Sequence, residues 1–198
     1  LNQQLNNSIA LHSFSNLGKR LYFPRGVVAQ TAEAAKYANR FNATVGMATN
    51  NNDPTYLSSI KNHIKELHVS EIFSYAPTAG VLELRNLWLK EIIRKNPDIT
   101  SDISLPIVTT GLTHGISLVA DMFVDIGDTI LLPDMYWGNY RLIMEERRQA
   151  TLETFPFFDG QKKFNLTGFA EKINLVKAGS KVVLLMNFPN NPTGYTPT

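Results

Sequence analysis

The sequence contains no cysteine, which excludes a disulfide framework, a thiolate metal site and a cysteine nucleophile, and fits a cytoplasmic protein. A strong excess of either sign of charge is also missing. With 19 Lys plus Arg against 17 Asp plus Glu, the net charge of +2 gives no basis for a nucleic-acid or membrane-surface partner. The 4 histidines, His12, His63, His68 and His114, include no pair one helical turn apart, so no metal site is expected. The apolar run Val182 to Met186 is far too short to cross a bilayer. At the N-terminus, "LNQQLNNSIALHSF" has no basic segment followed by an apolar block, so no signal peptide is expected. Neither G-x-x-x-x-G-K-[ST] nor G-x-G-x-x-G occurs, which removes the usual support for nucleotide binding.

What is present is the makeup of a globular protein: 43% hydrophobic and 18% charged residues over 198 positions, enough to build a core. The polar cluster Thr49 to Asp53 marks a boundary. It separates an N-terminal arm and small-domain segment, residues 1–52, from a more regular part, residues 53–198. Asp53-Pro54 reads as an N-cap and first turn, opening a helix with Leu57, Ile60, Ile64 and Leu67 on one stripe. A second helix is expected over about residues 80–95, with Leu84, Leu87, Trp88 and Ile92 as its stripe. Strands are then expected at 105–111, 128–133, 150–157 and 181–188, alternating with helices at 113–124, 138–148 and 166–177. Alternation at this spacing defines an α/β fold with a mostly parallel sheet sandwiched by helices. In such sheets ligands bind beyond the carboxyl ends of the strands.

Three stretches fall at those ends. "TTGLTHG", Thr109 to Gly115, joins a strand to a helix, where free N–H groups and a partial positive charge suit a phosphate; it reads equally as a plain helix start with Thr113 as N-cap. "PDMYWGNY", Pro133 to Tyr140, offers the indole of Trp137 as a stacking platform for a planar ring, or simply as core under a loop. "NNPTG", Asn190 to Gly194, is a good turn on its proline and glycine alone. That does not explain Asn191, whose amide can donate to a phenolic oxygen and a carboxylate together.

On these residues the sequence resembles the class I/II aminotransferases of the fold-type I pyridoxal phosphate (PLP) enzymes, over roughly residues 45–198. The resemblance implies a PLP-binding large domain, of which 53–198 is the N-terminal part. It also implies that Leu112 through its backbone and Thr113 through its N–H and hydroxyl hold the cofactor phosphate. Trp137 would stack on the ring, and Asn191 would contact both ring oxygen and substrate carboxylate. "SYAPTAG" is similar to the family's Tyr-x-Pro-x-x-Gly, so Tyr75 would reach the cofactor phosphate of a neighbouring subunit in a homodimer with a shared active site. "ATVGMA" would bring the Gly46 backbone beside the substrate. The implied reaction is a ping-pong exchange of an amino group between an α-amino acid and a 2-oxo acid. In this family the Schiff-base lysine lies C-terminal to the Asn-Pro-Thr-Gly turn, so it is expected beyond Thr198, and the chain alone is expected to be a truncated, inactive first part. Two alternatives remain at this point: another PLP enzyme of the same fold, such as a carbon-sulfur lyase or acyltransferase, and a non-catalytic binding or dimerisation module.

Overall fold

A computed structural model describes residues 8–21, 27–44, 46–51, 53–175 and 181–197. The chain divides into two compact units, one of residues 1–22 with 109–198 and one of residues 23–108.

The first unit carries the parallel sheet. Strands β3 (Thr129–Pro133), β4 (Thr151–Phe155) and β5 (Val182–Leu184) lie in the order β4-β3-β5. Both pairings are parallel, with Ile130 opposite Leu152 and Val183. Ile130, Leu131 and Leu132 are fully buried, as expected for a central strand covered on both faces. Side chains alternate across the strand. Ile130 and Leu132 therefore point to one face, where they pack with Ala120 of helix α7 (Leu112–Phe123), Val124, and Tyr140, Ile143 and Met144. The last two belong to a π-helical segment, Arg141–Arg147. Glu153 and Phe155 serve the other face, where α8 (Leu166–Leu175) brings Lys172 to 2.7 Å from Glu153 and the Phe169 ring to 5.4 Å from that of Phe155. Two short N-terminal helices, α1 (Ile9–Ser13) and α2 (Asn16–Arg20), belong to this unit too; Ser8 and Ser15 cap them by accepting from the N–H groups of Leu11 and Gly18.

The second unit holds α3 (Val27–Tyr37), a small hairpin of β1 (Thr49–Asn50) and β2 (Asp53–Pro54), and helices α4 (Ser58–Ile64), α5 (Val69–Phe73) and α6 (Leu82–Lys95). Asp53-Pro54 is thus a strand rather than a helix start. Asn51, at φ 49°, turns the chain back on itself, and this turn chemistry overrides the capping signal. Helix α4 begins only at Ser58, after Leu57. The expected helix from residue 80 begins at Leu82, because Gly80 sits at φ +95°. The stripe expected in the second helix lies on α6, whereas of the first only Ile60 and Ile64 fall in α4, with Leu57 and Leu67 outside it; Leu57, Ile60, Ile64, Leu84, Leu87 and Trp88 are exposed.

The strand expected at 105–111 is not one. Pro106 has no N–H to give a ladder, its carbonyl is taken by Arg85 Nε at 2.7 Å, and Val108 N donates to Ala79 O at 3.1 Å. The segment is pinned to the α6 end instead of to a neighbouring strand. The end of the helix expected at 166–177, residues 176 and 177, lies outside the described residues.

At the amino ends of β3 and β5, Lys181 Nζ lies 2.6 Å from Asp128 Oδ2 and 3.2 Å from Asp125 Oδ2. The Lys181 hydrogen bond, helped by the Asp125 N–H, holds the Asp128 carboxyl below its usual value, and Asp128 in turn raises Lys181. A depressed carboxyl stabilises the fold above its unfolded pKa and loses that contribution as pH falls through the folded value. The difference in denaturation midpoint between the chain and Asp128→Asn is therefore expected to be constant near neutrality and to shrink on acidification below about pH 4. On the alkaline side the Lys181 contribution is lost only as pH rises through its raised value. A midpoint difference independent of pH would contradict this.

Candidate active site

Helix α7 opens at Gly111, which takes φ 96° and offers no side-chain cap. Gly111, not Thr113, is the N-cap. The first helical bond runs from Gly115 N to Gly111 O at 3.2 Å, so the N–H groups of Leu112, Thr113 and His114 have no carbonyl of their own helix to bond. Leu112 and Thr113 are exposed, and among the described residues the Thr113 hydroxyl has no partner. A Cβ built on Gly111 would meet nothing within 4 Å, so the approach is open. His114 braces the loop: its Nδ1 accepts from Thr110 N at 3.2 Å and stands 2.9 Å from Thr110 Oγ1.

The loop after β3 carries Trp137. Its indole is half-buried, meets the Tyr140 ring edge-on at 5.6 Å and rests against the buried core. Burial pushes the Tyr140 phenol above its ordinary pKa. Asp134 anchors the loop to β4: its N–H donates to Phe155 O at 2.9 Å and its Oδ1 accepts from Phe157 N at 2.8 Å.

After β5 comes the turn with Asn191. Phe188-Pro189 and Asn191-Pro192 are both cis. The Asn191 side chain is exposed and has no hydrogen bond among the described residues. Its neighbour Asn190 is 3% exposed, and its Nδ2 donates to Met135 O, in the Trp137 loop, at 3.2 Å. The turns bearing Trp137 and Asn191 are therefore joined directly. Tyr195 closes the far side: its Oη accepts from Phe164 N at 3.2 Å, and its ring meets Phe157 and Phe158 edge-on at 5.7 and 5.4 Å.

Thr113, Trp137 and Asn191 all belong to the first unit. Gly46 and Tyr75 belong to the second, where Gly46 has open space around it and Tyr75 is fully exposed. Sequence reasoning passed over Asn190, Asp134 and Tyr195. Asp134 was detectable as an acid directly after a strand's terminal proline; the doublet Asn190-Asn191 has no feature in sequence that tells the buried member from the exposed one. A groove of about 300 Å³ lies on the α8 face, lined by Phe155, Asn165, Glu171 and Lys172 among others, not at these loops. Among the described residues no group of three His, Asp or Glu could hold a metal ion, and no helix is long and apolar enough to cross a membrane.

The α/β fold with its parallel sheet is that of the fold-type I pyridoxal phosphate aminotransferases among the solved structures. The model of the family "Aminotransferase class I and II" matches residues 42–198, and the chain belongs to that family. It is 30% identical over 129 residues to a probable aspartate/prephenate aminotransferase of Aquifex aeolicus, an alignment covering 61% of this chain and 29% of that protein. With a probable N-acetyl-LL-diaminopimelate aminotransferase of Bacillus subtilis it shares 28% identity over 140 residues, 69% of this chain and 34% of the relative. Among solved structures, an aminotransferase from Anaerococcus prevotii superposes with a TM-score of 0.78 at 28% identity, over 91% of this chain and 46% of that one. The chain thus spans about a third of the length of these curated relatives and about half of that solved structure.

Proposed function

We propose that the protein transfers an amino group between an α-amino acid and a 2-oxo acid, with pyridoxal 5'-phosphate as cofactor, and that residues 53–198 belong to its cofactor-binding domain. The observation that carries this reading is the hydrogen bond from Asn190 Nδ2 to Met135 O, which couples the Trp137 loop to the Asn191 turn at one end of the sheet. Family membership supports it.

The residues present suit the cofactor's chemistry. Free N–H groups at Leu112 and Thr113 and the unengaged Thr113 hydroxyl would hold the phosphate, where the helix dipole favours negative charge. Trp137, fixed from one side by Tyr140, would cover the ring, and the free Asn191 amide would donate to the ring oxygen and to the substrate carboxylate. Gly46, without a side chain, leaves backbone for the substrate to approach. When bound, the cofactor supplies the electron sink that makes an amino acid's Cα–H acidic. The protein's part is to position the substrate and keep water out. A homodimer with a shared site belongs to this reading: Tyr75, fully exposed, is free to serve a neighbouring subunit's phosphate group. So does a cytoplasmic setting, since a chain without cysteine has no disulfide to protect.

Equilibrium dialysis with pyridoxal 5'-phosphate tests the site. Saturable binding is expected, in competition with inorganic phosphate, and Trp137→Ala is expected to weaken it about tenfold, the loss of one stacking platform. Binding that is absent, or indifferent to Trp137, would remove the reading. For the reaction itself, a protein that also supplies the Schiff-base lysine should convert a panel of α-amino acids, with a 2-oxo acid acceptor, to new 2-oxo acid and new amino acid in equal amounts.

A further inference from the structure

Asn190 has few ways to be replaced. At 3% exposure its amide uses every hydrogen-bonding position available to it. Nδ2 donates to Met135 O at 3.2 Å and, at the 3.5 Å limit, to Asn187 Oδ1. Oδ1 accepts from Thr193 N at 3.1 Å and from Thr193 Oγ1 at 2.7 Å. Its backbone closes the same turn: Asn190 N donates to Tyr195 O at 2.8 Å, and Asn190 O accepts from Gly194 N at 2.6 Å. One face of the residue thus holds the turn together, while the other reaches across to a carbonyl two positions before Trp137.

We infer that Asn190 is a positioning residue, whose side chain sets the spacing between the Trp137 indole and the Asn191 amide. Its relevance to catalysis rests on the functional reading given above. β3 and β5 are parallel neighbours, so their trailing loops start side by side, but nothing in the ladder holds them together past Leu185 N to Leu131 O. The Asn190 cross-link takes over there. An aspartate at 190 would keep the acceptor for Thr193 but set a carboxylate oxygen against Met135 O, two acceptors with no proton between them. The cross-link to Met135 and the long contact to Asn187 Oδ1 would then be lost, while both bonds from Thr193 stay.

The chain has 2 tryptophans, so Trp88→Phe leaves Trp137 as the sole indole reporter. In that background, Asn190→Asp, Asn190→Ser and Thr193→Val are compared by acrylamide quenching of Trp137 without cofactor, by far-UV circular dichroism, and by pyridoxal 5'-phosphate titration. Both Asn190 variants are expected to raise the quenching constant about twofold and weaken cofactor binding about tenfold, with the far-UV spectrum unchanged. Thr193→Val, which removes two turn bonds, from Thr193 Oγ1 to Asn190 Oδ1 and from Tyr195 N to Thr193 Oγ1, but keeps the cross-link, should match the reference. Reference-like quenching in both Asn190 variants would overturn the inference, as would an equal rise in Thr193→Val. Loss of the far-UV signal in both Asn190 variants would overturn it as well, making the residue a determinant of folding. If the reference chain binds no pyridoxal 5'-phosphate, the functional reading fails, while the quenching comparison still decides the spacing role.

Discussion

Phe157→Ala is expected to lower the unfolding free energy by about 3–5 kcal/mol, the range for removing a buried phenyl and leaving a cavity. Phe157 is 1% exposed. It stands at the centre of a ring cluster, with centroids of Phe158, Phe164, Tyr195 and Phe188 at 4.7, 5.5, 5.7 and 6.5 Å. The first three of these pairs are edge-on and add about 0.5–1.5 kcal/mol each beyond burial, and the aromatic neighbours are too stiff to refill the space. The effect reaches the site. Tyr195 leans on Phe157 and closes the Asn191 turn, while the Phe157 N–H binds Asp134 in the Trp137 loop. Guanidinium denaturation of the chain measures the loss as a lower midpoint at constant slope. Phe158→Ala, at a partly exposed ring, is expected to cost clearly less. A loss under about 1 kcal/mol for Phe157→Ala would mean that the cluster does not hold the turn.

Gly80→Ala has the second-largest expected effect, about 2–4 kcal/mol, from two sources that add. The backbone at φ +95° is strained for any residue with a Cβ. The new Cβ would also lie 2.5 Å from Val108 Cβ and closer still to Val108 Cγ2. A rotamer change can move the Cγ2 atom, but the Cβ atom is fixed to the backbone, so Val108 must shift and break its bond to Ala79 O. The Tyr75 loop loses its anchorage to the 105–108 segment in consequence. Gly160→Ala is the control, since a Cβ there meets nothing within 4 Å; its midpoint should stay within about 0.5 kcal/mol of the reference. Equal costs at the two glycines would refute the steric account.

How far the fold could be read in advance depended on whether a segment's structure is decided locally. β3 was legible because Thr129–Pro133 is an apolar run bounded by turn residues, and a central strand needs little else. The α/β alternation followed from such runs. The segment at 105–111 has a similar apolar look, yet a strand exists only through its partners, and there Arg85 and Ala79 take the groups a ladder would use. Asp53-Pro54 failed for another reason: the same two residues suit a helix cap and a hairpin arm, and Asn51 decides between them. At the candidate site, the helix start, the loop bearing Trp137 and the Asn-Pro-Thr-Gly turn were legible as local structure from residue type and place, while their service to a cofactor belongs to the proposal. Asn190 was not, because its role comes from burial under a loop more than fifty residues away in sequence.

The order β4-β3-β5 leaves, among the described residues, two outer strands whose far sides have no partner. Each far side is a row of amides and carbonyls at strand spacing, beside side chains as apolar as the half-exposed Leu184. Such a row accepts whatever extended peptide can match its pitch. A sheet edged in this way tends to add strands, so whether its two edges are covered governs how concentrated its solutions can be made.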